Sequence, residues 1–242
     1  DNYIMDKETY LKVYDPKARI EFPELPVHNV NGMRFYETPE GHKYPSITTV
    51  LGRNPDKQKG LQAWRKRVGE QQAGIISGKA ARRGSAFHNI CEDYLNGMED
   101  IAHHKEKNFL AWCMFGEMRP YLDKSIGEIV LQEQNMYSDK YQVAGRCDFI
   151  GVYEDTLAVV DFKTTTTPKK EEWIEDYFIQ CAAYASMYEE HTKISIEKLV
   201  IMMVAEDGQI QIFEKKTADY LNKLDTVMES FYSNLTVEEL AT

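Results

Sequence analysis

The sequence predicts an α/β (α+β) protein: a central mixed sheet flanked by helices, with a hairpin and helical extension at the N-terminus. Three observations carry this. Segments 128–137, 145–164, 198–205 and 209–214 read as strands, with tight turns at Glu154-Asp155 and Asp207-Gly208. Stretches near 79–96, 107–124, 176–191 and 217–235 repeat apolar residues at helical spacing. The 242 residues hold no internal repeat and no long apolar run, which is enough chain for one sizeable core and excludes a transmembrane helix.

The elements follow in order. Residues 1–45 predict a loop-and-hairpin extension packed on the core, with Asn31-Gly32 as a two-residue hairpin turn and a second turn at Pro39-Glu40-Gly41. The main domain runs over 46–242. Pro45 and Ser46 open a short helix through Leu51, and the Ser46 hydroxyl is either its cap or a phosphate contact. A basic helix spans 57–73 around Trp64, and Gly74 and Gly78 are expected to break it. The next helix, about Lys79 to Asn96, carries Phe87, Ile90, Cys91, Tyr94 and Leu95 as its apolar stripe and stops at Gly97. His88 borders that stripe, as a satisfied core histidine or as a ligand. In the third helix Phe109, Leu110, Trp112, Cys113, Phe115 and Met118 read as core.

On the first sheet strand, alternation sets Leu131, Glu133, Asn135 and Tyr137 on one face. The helix over 176–191 has Tyr177, Gln180, Cys181, Tyr184, Met187 and Tyr188 as its buried stripe, and a glutamine inside such a stripe needs a polar partner. The last helix docks on the sheet through Leu221, Leu224, Met228 and Phe231.

Charge is uneven. The net value is −10, yet residues 52–83 hold nine Lys/Arg and two acids, an excess of +7 that leaves −17 for the remainder. Such a block is either a phosphate-facing surface or a solvated basic helix. Trp64, among Arg65, Lys66 and Arg67, offers a base-stacking surface or a core anchor. The four cysteines, at 91, 113, 147 and 181, show no C-x-x-C spacing and fit reduced thiols in an intracellular compartment. No leader pattern opens the chain.

The chemistry concentrates around the turn at Glu154-Asp155. Leu157, Val159, Asp161 and Lys163 share one strand face, and Asp148 lies on the strand before, on the face of Arg146 and Ile150. Two carboxylates and an ammonium thus converge at one end of a sheet. Paired carboxylates suit a hard cation such as Mg²⁺. The alternative is a D-x-K triplet running out to solvent as a surface ion pair.

The ordered set Arg83-Gly84-Ser85-Ala86-Phe87-His88, Gly145-Arg146-Cys147-Asp148, Asp161-Phe162-Lys163-Thr164 and Gln180-Cys181-Ala182-Ala183-Tyr184 resembles the RecB-like branch of the PD-(D/E)xK nuclease superfamily. With Tyr44-Pro45-Ser46-Ile47-Thr48-Thr49-Val50-Leu51 and Leu61-Gln62-Ala63-Trp64-Arg65-Lys66-Arg67, it is similar to the mitochondrial genome maintenance exonuclease family and its viral and bacterial relatives.

The resemblance implies a restriction-endonuclease-like core in which His88, Asp148, Asp161 and the Phe162 carbonyl hold Mg²⁺ or Mn²⁺. Lys163 orients and helps deprotonate an attacking water, while Gln180 and Tyr184 reach a phosphate. Glu133 is an acid behind the ligands or a strand-edge charge. Ser46, Trp64, Arg65, Lys66, Arg67, Arg82 and Arg83 are nucleic-acid contacts. No iron–sulfur cluster is expected, because the clustered cysteines of several RecB-like nucleases are missing, and no nucleotide cofactor, because no G-x-x-x-x-G-K-[ST] occurs.

The function implied is a metal-dependent DNA exonuclease preferring single-stranded free ends and leaving 5′-phosphates. A structure-specific endonuclease and a non-catalytic nucleic-acid-binding module are the alternatives. The expected partner is single-stranded DNA, with replication or recombination proteins in trans, no membrane, and a monomeric state. The expected setting is the cytoplasm of a bacterial or phage-infected cell in preference to a mitochondrion.

Overall fold

In the computed structural model, which describes residues 21–236 and Glu239, Asn31 and Gly32 both take positive φ (52° and 78°) and close the hairpin between β1 (Val27–Val30) and β2 (Met33–Glu37). The loop expected over residues 1–20 lies outside the described residues. The turn ending at Gly41 leads into a third strand that the sequence reading lacked, β3 (Lys43–Pro45), so Pro45 closes a strand instead of opening a helix. Ser46 caps α1 (Ile47–Gly52) by accepting the Thr49 N–H at 3.1 Å.

A five-stranded sheet forms the centre, in the order β4 (Ile126–Ser138), β5 (Val143–Tyr153), β6 (Thr156–Thr165), β7 (Lys198–Ala205), β8 (Ile210–Lys216). All neighbours are antiparallel except β6 and β7. A parallel pair needs a crossover, here α6 (Glu175–Thr192). One sheet face, with Leu131, Ile150, Val159, Ile201 and Met203, packs on α6, α7 (Ala218–Ser233) and α1. The other, with Phe149, Val160, Val200 and Met202, packs on α3 (Glu70–Leu95) and α5 (Phe109–Ser125). Between these last two lies the one-turn α4 (His104–Lys107). α6 is covered by the sheet on one side and α7 on the other, so it is buried nearly all round.

Several expectations change. α3 runs for 26 residues straight through Gly74 and Gly78. A glycine costs a helix about 1 kcal/mol, less than a long helix anchored in a core can absorb. The break falls instead at Gly69, whose φ of 87° ends α2 (Pro55–Val68). Phe109, Leu110 and Cys113 are exposed, and α5 turns Ala111, Met114, Phe115, Met118 and Leu122 inward. α7 packs on α6, α1 and the edge strand β8, with Leu221 only half-buried.

Between Pro55 and Arg82 only Ala73 is buried. α2 and the first half of α3 form a helical hairpin, each leg about 20 Å long at 1.5 Å per residue, standing off the body. Leu61, Ile75 and Ile76 on it face water. Stability should divide accordingly. Ile201→Ala, at a fully buried position of β7, should lower unfolding stability by about 2–5 kcal/mol. Ile76→Ala on the hairpin should change it by under about 0.5 kcal/mol. Urea unfolding of both variants checks the contrast.

Candidate active site

β5 and β6 are paired from Tyr153–Thr156 as far as Phe149–Val160, and then they part. β5 continues beside β4, and β6 beside β7. In the notch, Asp148 Oδ2 accepts the Phe162 N–H at 3.0 Å, so a side chain occupies the place of a strand partner. Strand alternation fails on both sides of this point. Cys147 and Ile150, three apart, lie in the core beneath α6, while Phe149 lies in the opposite one. Leu131 and Met136, five apart, also share one core, and Glu133 between them has a φ of 50°. A left-handed glutamate inside a strand is strained, the kind of feature that clusters at functional sites.

The irregularity corrects the expected faces. Asp148 does not side with Ile150. It turns toward α3, where His88 Nδ1 stands 3.3 Å from Asp148 Oδ1 and 3.6 Å from Glu133 Oε1. Gln132 pairs with Phe149 and Gln134 with Cys147, which sets Glu133 opposite Asp148. Ligand-type atoms of His88, Glu133 and Asp148 lie within 4.8 Å of one another. Glu133 is therefore level with Asp148, and its other oxygen accepts from Arg146 Nε at 2.7 Å. His88 sits between two carboxylates.

Asp161 and Lys163 arrive from the α6 side. Lys163 Nζ is 2.7 Å from Asp161 Oδ2 and donates to Gln180 Oε1 at 3.1 Å; Gln180 Nε2 donates to the Tyr184 hydroxyl at 3.0 Å. The polar partner that Gln180 needs inside its apolar stripe is thus Lys163. Gly145 makes room for this row, because a Cβ there would lie 2.8 Å from Tyr184 Cε1.

Electrostatics follow from burial. Burial, reinforced by Asp148 and offset only in part by Lys163, pushes the Asp161 carboxyl up to about 7. Burial acts the same way on Asp148, but His88 outweighs it and holds that carboxyl at about 2. His88 is raised well above its usual range, since Asp148 and Glu133 overcome desolvation. Lys163 is raised likewise: burial opposes, but Asp161 and Asp148 keep it an ammonium. Asp161 Oδ2 is buried with an ionic neighbour but no aligned hydrogen bond. An under-satisfied carboxylate beside a second one, close to the cluster of His88, Glu133 and Asp148, fits a divalent cation.

The expected nucleic-acid contacts separate into two groups. Lys66, Arg67 and Arg82 are exposed; Trp64 is half-buried on a helix with no buried residue, so it is not a core anchor. Arg65 pairs with Glu70 at 2.8 Å. Arg83 and Ser46 are corrections. Arg83 is buried, its guanidinium bound to Glu206 at 2.6 Å and to Thr164 Oγ1 at 3.2 Å, which clamps α3 to the end of β6. Ser46 is 3% exposed and serves as a helix cap. Sequence reasoning missed two further groups. Tyr177 has its ring 4.7 Å from Lys163 Nζ. Asp93, His103 and His104 also lie at ligand-type spacing, on α3 and at the start of α4.

A mixed sheet whose parted strands carry Asp148 and Asp161-Phe162-Lys163, with a helical histidine opposite, defines a nuclease-type core. The family model described as PD-(D/E)XK nuclease superfamily matches residues 58–241, and the chain belongs to that superfamily. It is similar to mitochondrial genome maintenance exonuclease 1 of Homo sapiens, at 25% identity over 175 residues, and to that of Mus musculus, at 23% over 175 residues. Each match covers 68% of this chain and spans 50% of the relative. Among solved structures it is similar to a candidate exonuclease of Eubacterium rectale, with a TM-score of 0.42 and 12% identity over 61% of this chain and 64% of that one.

Two outcomes test the geometry. Gly145→Ala should lower stability by about 1–3 kcal/mol through overpacking on Tyr184. Its effect should fall well below additivity when combined with Tyr184→Ala, as thermal unfolding of the three variants will show. Glu133→Gln should weaken Mn²⁺ binding about 10-fold or more in calorimetry, whereas a strand-edge charge would leave it unchanged.

Proposed function

We propose that the protein is a divalent-metal-dependent exonuclease that hydrolyses DNA from single-stranded free ends and leaves 5′-phosphates. The observation that carries the reading is the convergence of Asp148, Asp161 and Lys163 with His88 in the notch between β5 and β6. Membership of a nuclease superfamily and likeness to exonucleases support it. His88, Glu133, Asp148 and Asp161 would hold the metal. When bound, the cation supplies Lewis-acid polarisation of the phosphodiester and a lowered pKa for water.

The chain's own residues supply position and charge. Lys163 Nζ, fixed by Asp161 and Gln180, is aimed to donate to the attacking water or to a phosphate oxygen as negative charge develops. Gln180, steadied by Tyr184, holds Lys163 in line with the phosphate. Asp148, pinned by the Phe162 N–H, keeps the two carboxylates at fixed separation.

The single-strand preference rests on the helical hairpin. One foot is tied where Lys57 meets Asp176 at the start of α6, at 3.2 Å, and the other continues into α3 at Arg83 and His88. The carboxylates and Lys163 lie between those two elements, so the hairpin spans the approach to the site. Lys66, Arg67 and Arg82 on it are free to meet phosphates. No helix among the described residues is long and apolar enough to cross a membrane.

Asp161→Asn or Asp148→Asn should abolish Mg²⁺-dependent cleavage while oligonucleotide binding survives, and Lys163→Ala should slow cleavage by about 10²–10⁴-fold. Labelled linear single strands should be degraded, and blunt duplex and circular single strands should resist, when all are run on one denaturing gel. Efficient cutting of the circle would identify an endonuclease instead.

A further inference from the structure

Just past Lys163 the chain leaves the sheet through Thr164–Thr167, Pro168, Lys169 and Lys170, then makes one 3₁₀ turn, Glu171–Trp173, before α6. Trp173 is 62% exposed, more than any other large apolar side chain among the described residues. Its backbone is held tightly. Lys169 exchanges two hydrogen bonds with the Gln211 side chain of β8, at 2.9 and 2.8 Å. Lys215, also on β8, pairs with Glu171 at 2.9 Å. The Trp173 N–H binds Lys170 O at 3.0 Å, and the next residue, Ile174, is 1% exposed. An indole left in water forgoes a large burial gain, and here a rigid support keeps it there.

Cations accompany the rings. Lys170 Nζ lies 5.3 Å from the Trp173 ring, and one turn further on Lys163 Nζ lies 4.7 Å from the Tyr177 ring. Two ammonium–ring pairs, Lys170 with Trp173 and Lys163 with Tyr177, thus stand four residues apart at the start of α6, the second of them against Asp161. That pattern suits an unpaired strand, whose bases stack on rings while its phosphates meet ammoniums.

We propose that Trp173 is a stacking platform for a base of the single strand next to the bond being cut, with Lys170 on an adjacent phosphate, an assignment that rests on the nuclease reading above. The test uses the Asp161→Asn protein with fluorescein-labelled oligothymidylate. Adding Trp173→Ala should weaken binding about 5- to 100-fold, adding Trp173→Phe should restore most of it, and the melting temperature should not move. A strand of abasic sugar-phosphates should bind the Trp173 and Trp173→Ala proteins alike. Equal affinity of those two proteins for oligothymidylate overturns the platform and leaves the exposed ring to a protein partner, with the nuclease reading intact. No binding of oligothymidylate by the Asp161→Asn protein itself overturns the nucleic-acid reading, and the platform with it.

Discussion

The hydrogen bond from the Phe162 N–H to Asp148 is the constraint on which the site depends. Where two strands separate, their edge groups must find partners or stay hydrated, and a buried unpaired group costs about 1–3 kcal/mol. Asp148 settles this with its own carboxylate, and in doing so fixes where β5 ends its pairing with β6. The gap so opened lets residues from both faces of the sheet meet: His88 and Glu133 from the α3 side, Asp161, Lys163 and Gln180 from the α6 side. A fully paired sheet would have kept them apart.

Much of the surrounding structure serves to keep that gap electrostatically tolerable. Asp161 is almost wholly buried, with Lys163 against it, and that ammonium is itself satisfied by Gln180. Each charge in the row has a neighbour, yet the acids are still in excess, which is why Asp161 rises toward neutrality. Stability and chemistry pull in opposite directions here. Apolar residues would pack more favourably in place of the acids.

The strongly local features were legible from sequence. Asn31-Gly32 turns because both residues accept positive φ, and Lys198–Ala205 is a strand from end to end because a central strand buried on both faces must be continuously apolar. Asp148, Asp161, Lys163, Gln180 and Tyr184 were found through their order along the chain, and they do fall together. What escaped was decided at a distance. Glu133 sits at a break in alternation that no periodic reading can anticipate. Phe109 and Leu110 are apolar yet exposed, since helical spacing identifies a stripe only when it is known which neighbour covers it. Arg83 looked like its exposed neighbour Arg82 and is the opposite, because Glu206, 123 residues later, claims it.

α3 is a single unbroken rod whose two halves live in different surroundings. Its outer half is in solvent with α2, its inner half carries His88 against the sheet, and the Arg83 clamp to Glu206 and Thr164 lies between them. Mechanically this is a lever with its fulcrum at Arg83. A continuous helix is stiff along its axis, so a tilt imposed near Gly69 would carry past Arg83 toward His88. One stiff element thus joins the basic hairpin to the acid–imidazole cluster.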